Sequence, residues 1–182
     1  DKTVFFTDSD ETLYALDTKS GKKEWSLNLE DTGRSSPTIV DGIVFIGADD
    51  ALHAVDAATG RKYWTFEAGE NIRSSPTVAD GTVFIGGGDK KLYAVDAETG
   101  IEEWAFKTGE DIWSSPTVGN GTVFVGSLDG NLYAVDAETG AEEWVFEKSK
   151  SSMTISSSPT VVDGTVIVGR NDNRDGDLLS VD

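Results

Sequence analysis

The chain has 182 residues, 33 of them acidic and 15 basic, which gives a formal charge of −18 and an isoelectric point near 4.2. A field of this sign repels phosphate backbones, so nucleic acid is not an expected partner. No apolar run approaches the roughly 20 residues that cross a bilayer, so we expect no membrane span. There is no cysteine, which excludes disulfides, thiolate metal sites and cysteine nucleophiles.

The acidic excess has two interpretations. One is an ordinary soluble protein with a well-solvated surface, and the other, which we favour, is a halophilic protein adapted to high salt. In molar salt the Debye length falls to about 3 Å, which removes the self-repulsion of such a surface. The melting temperature is therefore expected to climb steeply with KCl in thermal unfolding, whereas a flat response would remove the halophilic interpretation.

One eleven-residue motif, Ala-x-Asp-x-x-Thr-Gly-x-x-x-Trp, occurs four times in the sequence and organises it. Its copies begin at Ala15, Ala54, Ala94 and Ala134, and only the first departs from it, with Ser20 in place of threonine. A period near 40 residues is the signature of a repeat architecture.

Each period contains four apolar runs separated by turn residues, which predicts four short antiparallel strands and no helix. In the third period the runs are 74–78, 82–86, 92–95 and 104–106. The first two are joined by Asp80-Gly81, a strong hairpin signal, and the last two by the turn Asp96–Gly100, where the glycine takes a left-handed conformation. Such a unit is one blade of an all-β propeller.

The first and last periods are incomplete, so we expect 18 strands in three whole blades and two partial ones. We assign the chain to a single repeat domain, 1–182, with approximate repeat limits at 1–33, 34–72, 73–112, 113–155 and 156–182. The recurring tryptophan is expected to insert against the next blade, and the aspartate and glycine to shape the turn before it. The residues assigned to this docking are Trp25, Trp64, Trp104, Trp144, Asp17, Asp56, Asp96, Asp136, Gly21, Gly60, Gly100 and Gly140.

The motif resembles the tryptophan-docking motif of the pyrroloquinoline-quinone-type (PQQ-like) propeller repeat. That repeat is shared by the quinoprotein dehydrogenases and the BamB-type outer-membrane assembly lipoproteins. The Ser-Ser-Pro-Thr-Val and Gly-Thr-Val-Phe-Ile-Gly runs resemble the first two strands of the same repeat. The likeness covers essentially the whole chain, although Glu102-Glu103 and Glu142-Glu143 stand where the family often has a basic residue.

The resemblance implies rings of seven or eight blades, which this sequence cannot fill. It also begins inside a strand pattern. We therefore expect a fragment of a larger ring, with self-association that completes a ring and a five-bladed closure as alternatives. An extracytoplasmic or cell-surface location is implied by the resemblance alone.

Few residues suggest catalysis. His53, the only histidine, stands where other blades have Tyr14, Tyr93 and Tyr133, so we expect a packed strand residue. The quinoproteins imply a quinone and a calcium ion on the ring axis, a catalytic aspartate and often a vicinal disulfide. The disulfide is impossible here, and the recurring aspartates all belong to turns. We therefore expect no catalytic residues and no cofactor, with PQQ or calcium as the less favoured alternative.

An irregular position lies just before each Ser-Ser-Pro, and it holds Arg34, Arg73, Trp113 and Ser156 in turn. If those strands are innermost, as the resemblance implies, these side chains converge at the mouth of the central channel. Guanidinium groups bind carboxylates in bidentate geometry and tryptophan offers a stacking face, so Arg34, Arg73 and Trp113 are candidate ligand- or partner-binding residues. The alternative is that the arginines only pair with acids such as Glu70 or Asp31.

A second candidate site is the insertion Asn171–Asp177. Oxygen side chains at alternate positions followed by glycine resemble the start of a calcium loop, with Asn171, Asn173, Asp175 and Asp177 as the possible ligands. The pattern lacks a downstream bidentate glutamate, so a polar hairpin tip is the favoured interpretation.

Taken together, the sequence favours a non-catalytic propeller scaffold that binds a protein or a ligand. A fragment of a PQQ-dependent dehydrogenase is the first alternative, and a sensor or structural domain attached to another module is the second.

Overall fold

The computed structural model describes residues 2–8, 10–29, 34–147, 153–171 and 176–181. These residues form eighteen β-strands and no helix. The strands are β1 (Thr3–Thr7), β2 (Thr12–Asp17), β3 (Lys23–Asn28), β4 (Thr38–Val40), β5 (Ile43–Ala48), β6 (Ala51–Asp56), β7 (Lys62–Glu67), β8 (Thr77–Ala79), β9 (Thr82–Gly86), β10 (Lys91–Asp96), β11 (Glu102–Lys107), β12 (Thr117–Gly119), β13 (Thr122–Gly126), β14 (Leu132–Asp136), β15 (Glu142–Phe146), β16 (Thr160–Val162), β17 (Thr165–Asn171) and β18 (Gly176–Val181).

The strands form five antiparallel sheets, each built from consecutive strands in chain order. We number them by their place in the chain: sheet 1 (β1–β3), sheet 2 (β4–β7), sheet 3 (β8–β11), sheet 4 (β12–β15) and sheet 5 (β16–β18). The three central sheets have four strands and the two outer ones have three. The predicted all-β architecture of propeller blades, three whole and two partial, is therefore confirmed. The part of the chain that the structure describes has no helix of the length and hydropathy that a bilayer crossing needs.

Tight hairpins set the register of the first two strands in each four-stranded sheet. Asp80 and Gly81 have φ angles of 48° and 84°, the geometry of a type I′ turn. Val78 consequently pairs with Val83, and Ala79 with Thr82. Asp41, Asn120 and Asp163 open equivalent turns. Asn120 has a φ of 53°, close to the values of the aspartates, so asparagine supports the same backbone conformation.

The first strand of each whole blade is shorter than the sequence predicts. In sheet 3 it begins at Thr77 instead of Ser74. Pro76 has no N–H to give to a ladder, and the Ser74 hydroxyl bonds to both the N–H and the C=O of Gly86, at 2.8 and 2.9 Å. A side chain thus replaces the backbone ladder at this point and leaves the segment before Thr77 outside the sheet.

The short first strands lie side by side from one sheet to the next. Thr77 Oγ1 donates to the carbonyl oxygen of Pro116 at 2.6 Å, and Ser75 N donates to Ser115 Oγ at 2.9 Å. The same two bonds join sheet 2 to sheet 3 and sheet 4 to sheet 5. These strands are therefore the inner strands, and β3, β7, β11 and β15 form the outer edges.

The hydrophobic core is divided into four clusters, each lying between two successive sheets. Between sheets 3 and 4, for example, fully buried Phe84 and Leu92 pack against Val123 and Val125. Within the described ranges, every core cluster is shared by two sheets, so each sheet depends on its neighbours for burial.

A tryptophan packs into each of the four clusters, and among the described residues three of these tryptophans also bond to the backbone of the next sheet. Trp64 Nε1 donates to the carbonyl oxygen of Ala97 in the next sheet at 3.2 Å, and its ring lies so close to Gly100 that a Cβ there would be 2.6 Å from Cδ2. Trp25 meets Ala57 and Gly60 in the same way, and Trp104 meets Ala137 and Gly140.

We call the turn on which a tryptophan of the preceding sheet packs the receiving turn; for Trp64 it is Asp96–Gly100. The aspartate of this turn holds its conformation. Asp96 Oδ1 accepts the N–H of Thr99 at 2.7 Å and its hydroxyl at 2.5 Å, and Gly100 has a φ of 72°. The Thr99 hydroxyl, followed by the Thr99 N–H, lowers the pKa of this carboxyl. Asp17, Asp56 and Asp136 make the equivalent bonds. In the turns of Asp56, Asp96 and Asp136 this part of the motif builds the surface on which the tryptophan of the preceding sheet packs.

Candidate binding site at the mouth of the inner strands

The loops that enter β8 and β12 are fixed on both sides of the irregular position. On one side Ile72, Ile112 and Ile155 are fully buried. Ile112 sits against Gly86, where a Cβ would come within 2.2 Å of Ile112 Cγ2, so only glycine leaves room for it. Gly47 and Gly126 make the same room for Ile72 and Ile155.

On the other side stands the first serine of the Ser-Ser-Pro run. Ser74 and Ser114 are fully buried and bonded to the backbone of their own sheets. Arg73 and Trp113 therefore each lie between two buried anchors. Since neighbouring side chains of an extended chain alternate in direction, both point away from the core.

The structure brings the four irregular positions together in one cleft of about 320 Å³. We call this cleft the mouth, and its lining residues are Arg34, Arg73, Ser75, Trp113, Ser115 and Ser156. Arg34 and Ser156 are exposed at its two ends, and Arg73 and Trp113 are half-buried between them.

Arg73 and Trp113 are in direct contact. The guanidinium carbon of Arg73 lies 4.5 Å from the centroid of the indole, within the range of a cation–π interaction. The contact holds the guanidinium of Arg73 over the face of the Trp113 ring, beside the other side chains that line the mouth.

Two serines that sequence reasoning missed complete the lining. Ser75 Oγ accepts the N–H of Ser36, and Ser115 Oγ accepts the N–H of Ser75, both at 2.9 Å. Each hydroxyl uses a lone pair on the backbone of the preceding sheet and retains its own O–H as a donor. Their signal was present in the repeated Ser-Ser-Pro run, but the sequence does not say which serine faces the channel.

None of the described residues that line the mouth is acidic. Among the described residues, neither Arg34 nor Arg73 has a carboxylate within ion-pair distance, although Glu70 lies only a few positions away in sequence. Asp31, the other partner considered for these arginines, lies outside the described residues. Within the described part of this strongly anionic chain, the mouth is thus a local concentration of hydrogen-bond donors and positive charge.

His53 is a packed strand residue, as predicted. It is 6% exposed, and its Nδ1 lies 3.0 Å from Thr65 Oγ1. Burial, together with the nearby charge of Lys62, lowers the pKa of His53 to about 4. The imidazole is therefore neutral at physiological pH, and it lies in sheet 2 away from the mouth.

The calcium hypothesis falls largely on residues that the structure leaves undescribed. Asn173 and Asp175 lie outside the described residues, and so does the side chain of Asp177. Asn171 is described, and its backbone pairs with Thr154 through two hydrogen bonds of 2.9 and 3.0 Å. Within the described part of the chain, no three acidic or histidine side chains come together as metal ligands.

A family model described as outer membrane protein assembly factor BamB matches residues 1–70 and 48–182. No curated protein matches the sequence. Several solved structures share the fold. BamB from Moraxella catarrhalis is 23% identical with a TM-score of 0.80, and the match covers 99% of this chain and 58% of that one.

The computationally designed Ika8 protein is 18% identical with a TM-score of 0.84, covering 100% of this chain and 56% of that one. Quinohemoprotein alcohol dehydrogenase from Comamonas testosteroni is 19% identical with a TM-score of 0.79, and the match covers 100% of this chain and 41% of that one. The chain thus spans less than two thirds of each of these proteins. At such identities the likeness shows the fold alone.

Proposed function

The chain belongs to the family of the outer membrane protein assembly factor BamB, and from that premise we propose that it is a non-catalytic propeller segment that binds another protein. The mouth is the proposed contact, and Arg34, Arg73 and Trp113 are the proposed binding residues. The family description also supports an extracytoplasmic location, which remains part of the proposal.

The observation that carries the proposal is the chemistry of the mouth. All six lining side chains can donate hydrogen bonds, none is acidic, and the central arginine is already stacked on an indole. Such a surface complements a carboxylate, because a guanidinium fork meets both of its oxygens while the serine hydroxyls donate to the remaining lone pairs. The partner is therefore an acidic segment of another protein.

The anionic surroundings strengthen this choice. At low ionic strength, where surface charges are little screened, a chain with a net charge of −18 repels an acidic partner least where its positive groups are gathered. The charge of the mouth then determines where on the protein an acidic segment binds, because the segment is attracted to the mouth more than to the acidic surface around it.

The quinone-dependent alternative requires different residues at the same place. A calcium ion takes oxygen ligands, largely carboxylates, and the proposed base is an aspartate. The described residues of the mouth lining provide arginine, serine and tryptophan side chains, and none of them is a carboxylate. Its side chains do not fit the calcium-and-quinone arrangement that the resemblance implies.

The proposal is tested with a fluorescently labelled peptide of alternating glutamate and serine, in KCl at which the protein is folded. Arg73→Ala is expected to raise its dissociation constant by about tenfold or more, because a hydrogen-bonded charge pair is lost. Trp113→Ala is expected to weaken binding as well, since it removes the surface that orients Arg73.

Arg61→Ala is the matched control, because it removes the same charge from an exposed turn at the other end of the blade. Equal effects of Arg61→Ala and Arg73→Ala, or no binding by the unaltered protein, would contradict the proposal. Alcohol oxidation with an artificial electron acceptor, by protein supplied with the quinone and calcium, would favour the alternative instead.

A further inference from the structure

At the end of the blades opposite the mouth, where the Asp-Gly and Asn-Gly hairpin turns lie, a row of clefts runs between successive sheets. We number them by the sheets they separate. The first cleft, between sheets 1 and 2, measures about 430 Å³; the second, between sheets 2 and 3, about 570 Å³; and the third, between sheets 3 and 4, about 360 Å³. Each opens between the strands of one blade and the two hairpin turns of the next.

The floor of each cleft is apolar. Ile43, Phe45 and Val78 line the second cleft, and Phe84 and Val118 line the third. The docking tryptophans fix the spacing of the walls, because each one bonds to the alanine of the turn that forms the far wall. The clefts are therefore built into the packing of the blades.

The rims of the second and third clefts are acidic. Asp80 and Glu98 lie at the second and Asp80 and Glu138 at the third, and none of the described residues that line either cleft is a lysine or an arginine. Among the described residues these three carboxylates form no ion pair.

The first cleft shows that this charge is not simply the average of the surface. Lys2 lines it, and Ala58 stands at the position that Glu98 and Glu138 occupy in the other two. Equivalent backbone positions thus produce one cleft with balanced charge and two with acidic rims. Asp80 lines both acidic clefts, so the two lie on either side of a single turn.

We propose that the second and third clefts together bind one basic segment of a partner protein, with an arginine or lysine side chain in each cleft and the backbone crossing over the Asp80 turn. Arginine and lysine have long apolar stems and charged ends, which match an apolar floor below an acidic rim. This surface faces away from the mouth, so the inference does not rest on the binding proposed there.

The test uses a labelled peptide of alternating arginine and serine and a triple variant, Asp80→Asn, Glu98→Gln and Glu138→Gln. Asparagine already opens the equivalent turn at Asn120, with a φ of 53°, so Asp80→Asn is compatible with the fold. We expect the variant to raise the dissociation constant by about tenfold, since each exposed ion pair is worth a factor of up to about five.

The matched control changes the net charge equally at exposed positions outside the clefts, with Glu102→Gln, Glu142→Gln and Asp163→Asn. It is expected to leave the dissociation constant within about twofold, because distant charges act only through a screened field. Equal weakening by the two triple variants would mean that the peptide is attracted by overall charge, and it would overturn the proposal. So would unchanged binding by the cleft variant, or no binding by the unaltered protein.

Discussion

Replacing Trp104 by alanine is expected to lower the free energy of unfolding by about 3–5 kcal/mol. The indole packs in the cluster between sheets 3 and 4, with its ring centroid 5.8 Å from that of Phe84. The substitution removes this contact and the Nε1 bond to Ala137 at 3.1 Å, and it leaves a cavity in the cluster that joins sheets 3 and 4. Denaturant unfolding followed by circular dichroism, at constant KCl, measures the loss.

Trp113→Ala is the control for this prediction. It removes a tryptophan of the same size, but one that lines the mouth and whose described contact is the stack with Arg73. Trp113→Ala is expected to lower the free energy of unfolding by about 1 kcal/mol or less. If the two substitutions cost the same, the indoles are not what holds successive blades together.

The second large effect concerns the glycine of the receiving turn. Gly100→Ala is expected to cost about 2–4 kcal/mol, made up of a backbone and a packing contribution. The residue has a φ of 72°, which disfavours any side chain, and the new Cβ would lie 2.6 Å from Trp64 Cδ2. The indole would have to leave its position between the sheets to admit a methyl group.

Gly21 separates the two contributions. It has a φ of 67°, nearly the same as Gly100, but a Cβ added there would meet nothing within 4 Å among the described residues. Gly21→Ala therefore carries only the backbone cost of about 1–2 kcal/mol. A Gly100→Ala variant as stable as Gly21→Ala would show that Trp64 does not pack on this turn.

Much of the fold could be predicted because the same local signals recur in every blade. The Asp-Gly pairs require two residues with positive φ, and the turn Asp96–Gly100 supplies its own hydrogen-bond acceptor. These are short-range effects that a sequence displays directly. The start of the inner strands could not be predicted in the same way, because Ser74 exchanges a ladder position for bonds from its hydroxyl to Gly86.

The candidate site at the mouth could likewise be predicted only in part. The repeated Ser-Ser-Pro run places Arg34, Arg73 and Trp113 at one position of the blade, and that common register predicts their proximity. The stack of Arg73 on Trp113 is a contact between side chains of successive blades, and the roles of Ser75 and Ser115 depend on which hydroxyl meets the neighbouring backbone. The clefts at the other end could not be predicted, because their volume depends on how far apart the packed sheets lie.

The most direct measurement is the indole N–H spectrum of nitrogen-15-labelled protein, recorded with hydrogen exchange and then with the glutamate–serine peptide. We expect Trp25, Trp64 and Trp104, whose Nε1 atoms donate to carbonyl oxygens of the next sheet, to exchange slowly. Trp113 should exchange fast, and its signal should move when the peptide is added. Equal exchange at all five tryptophans, or a peptide that shifts the docked indoles and leaves Trp113 unmoved, would contradict the account.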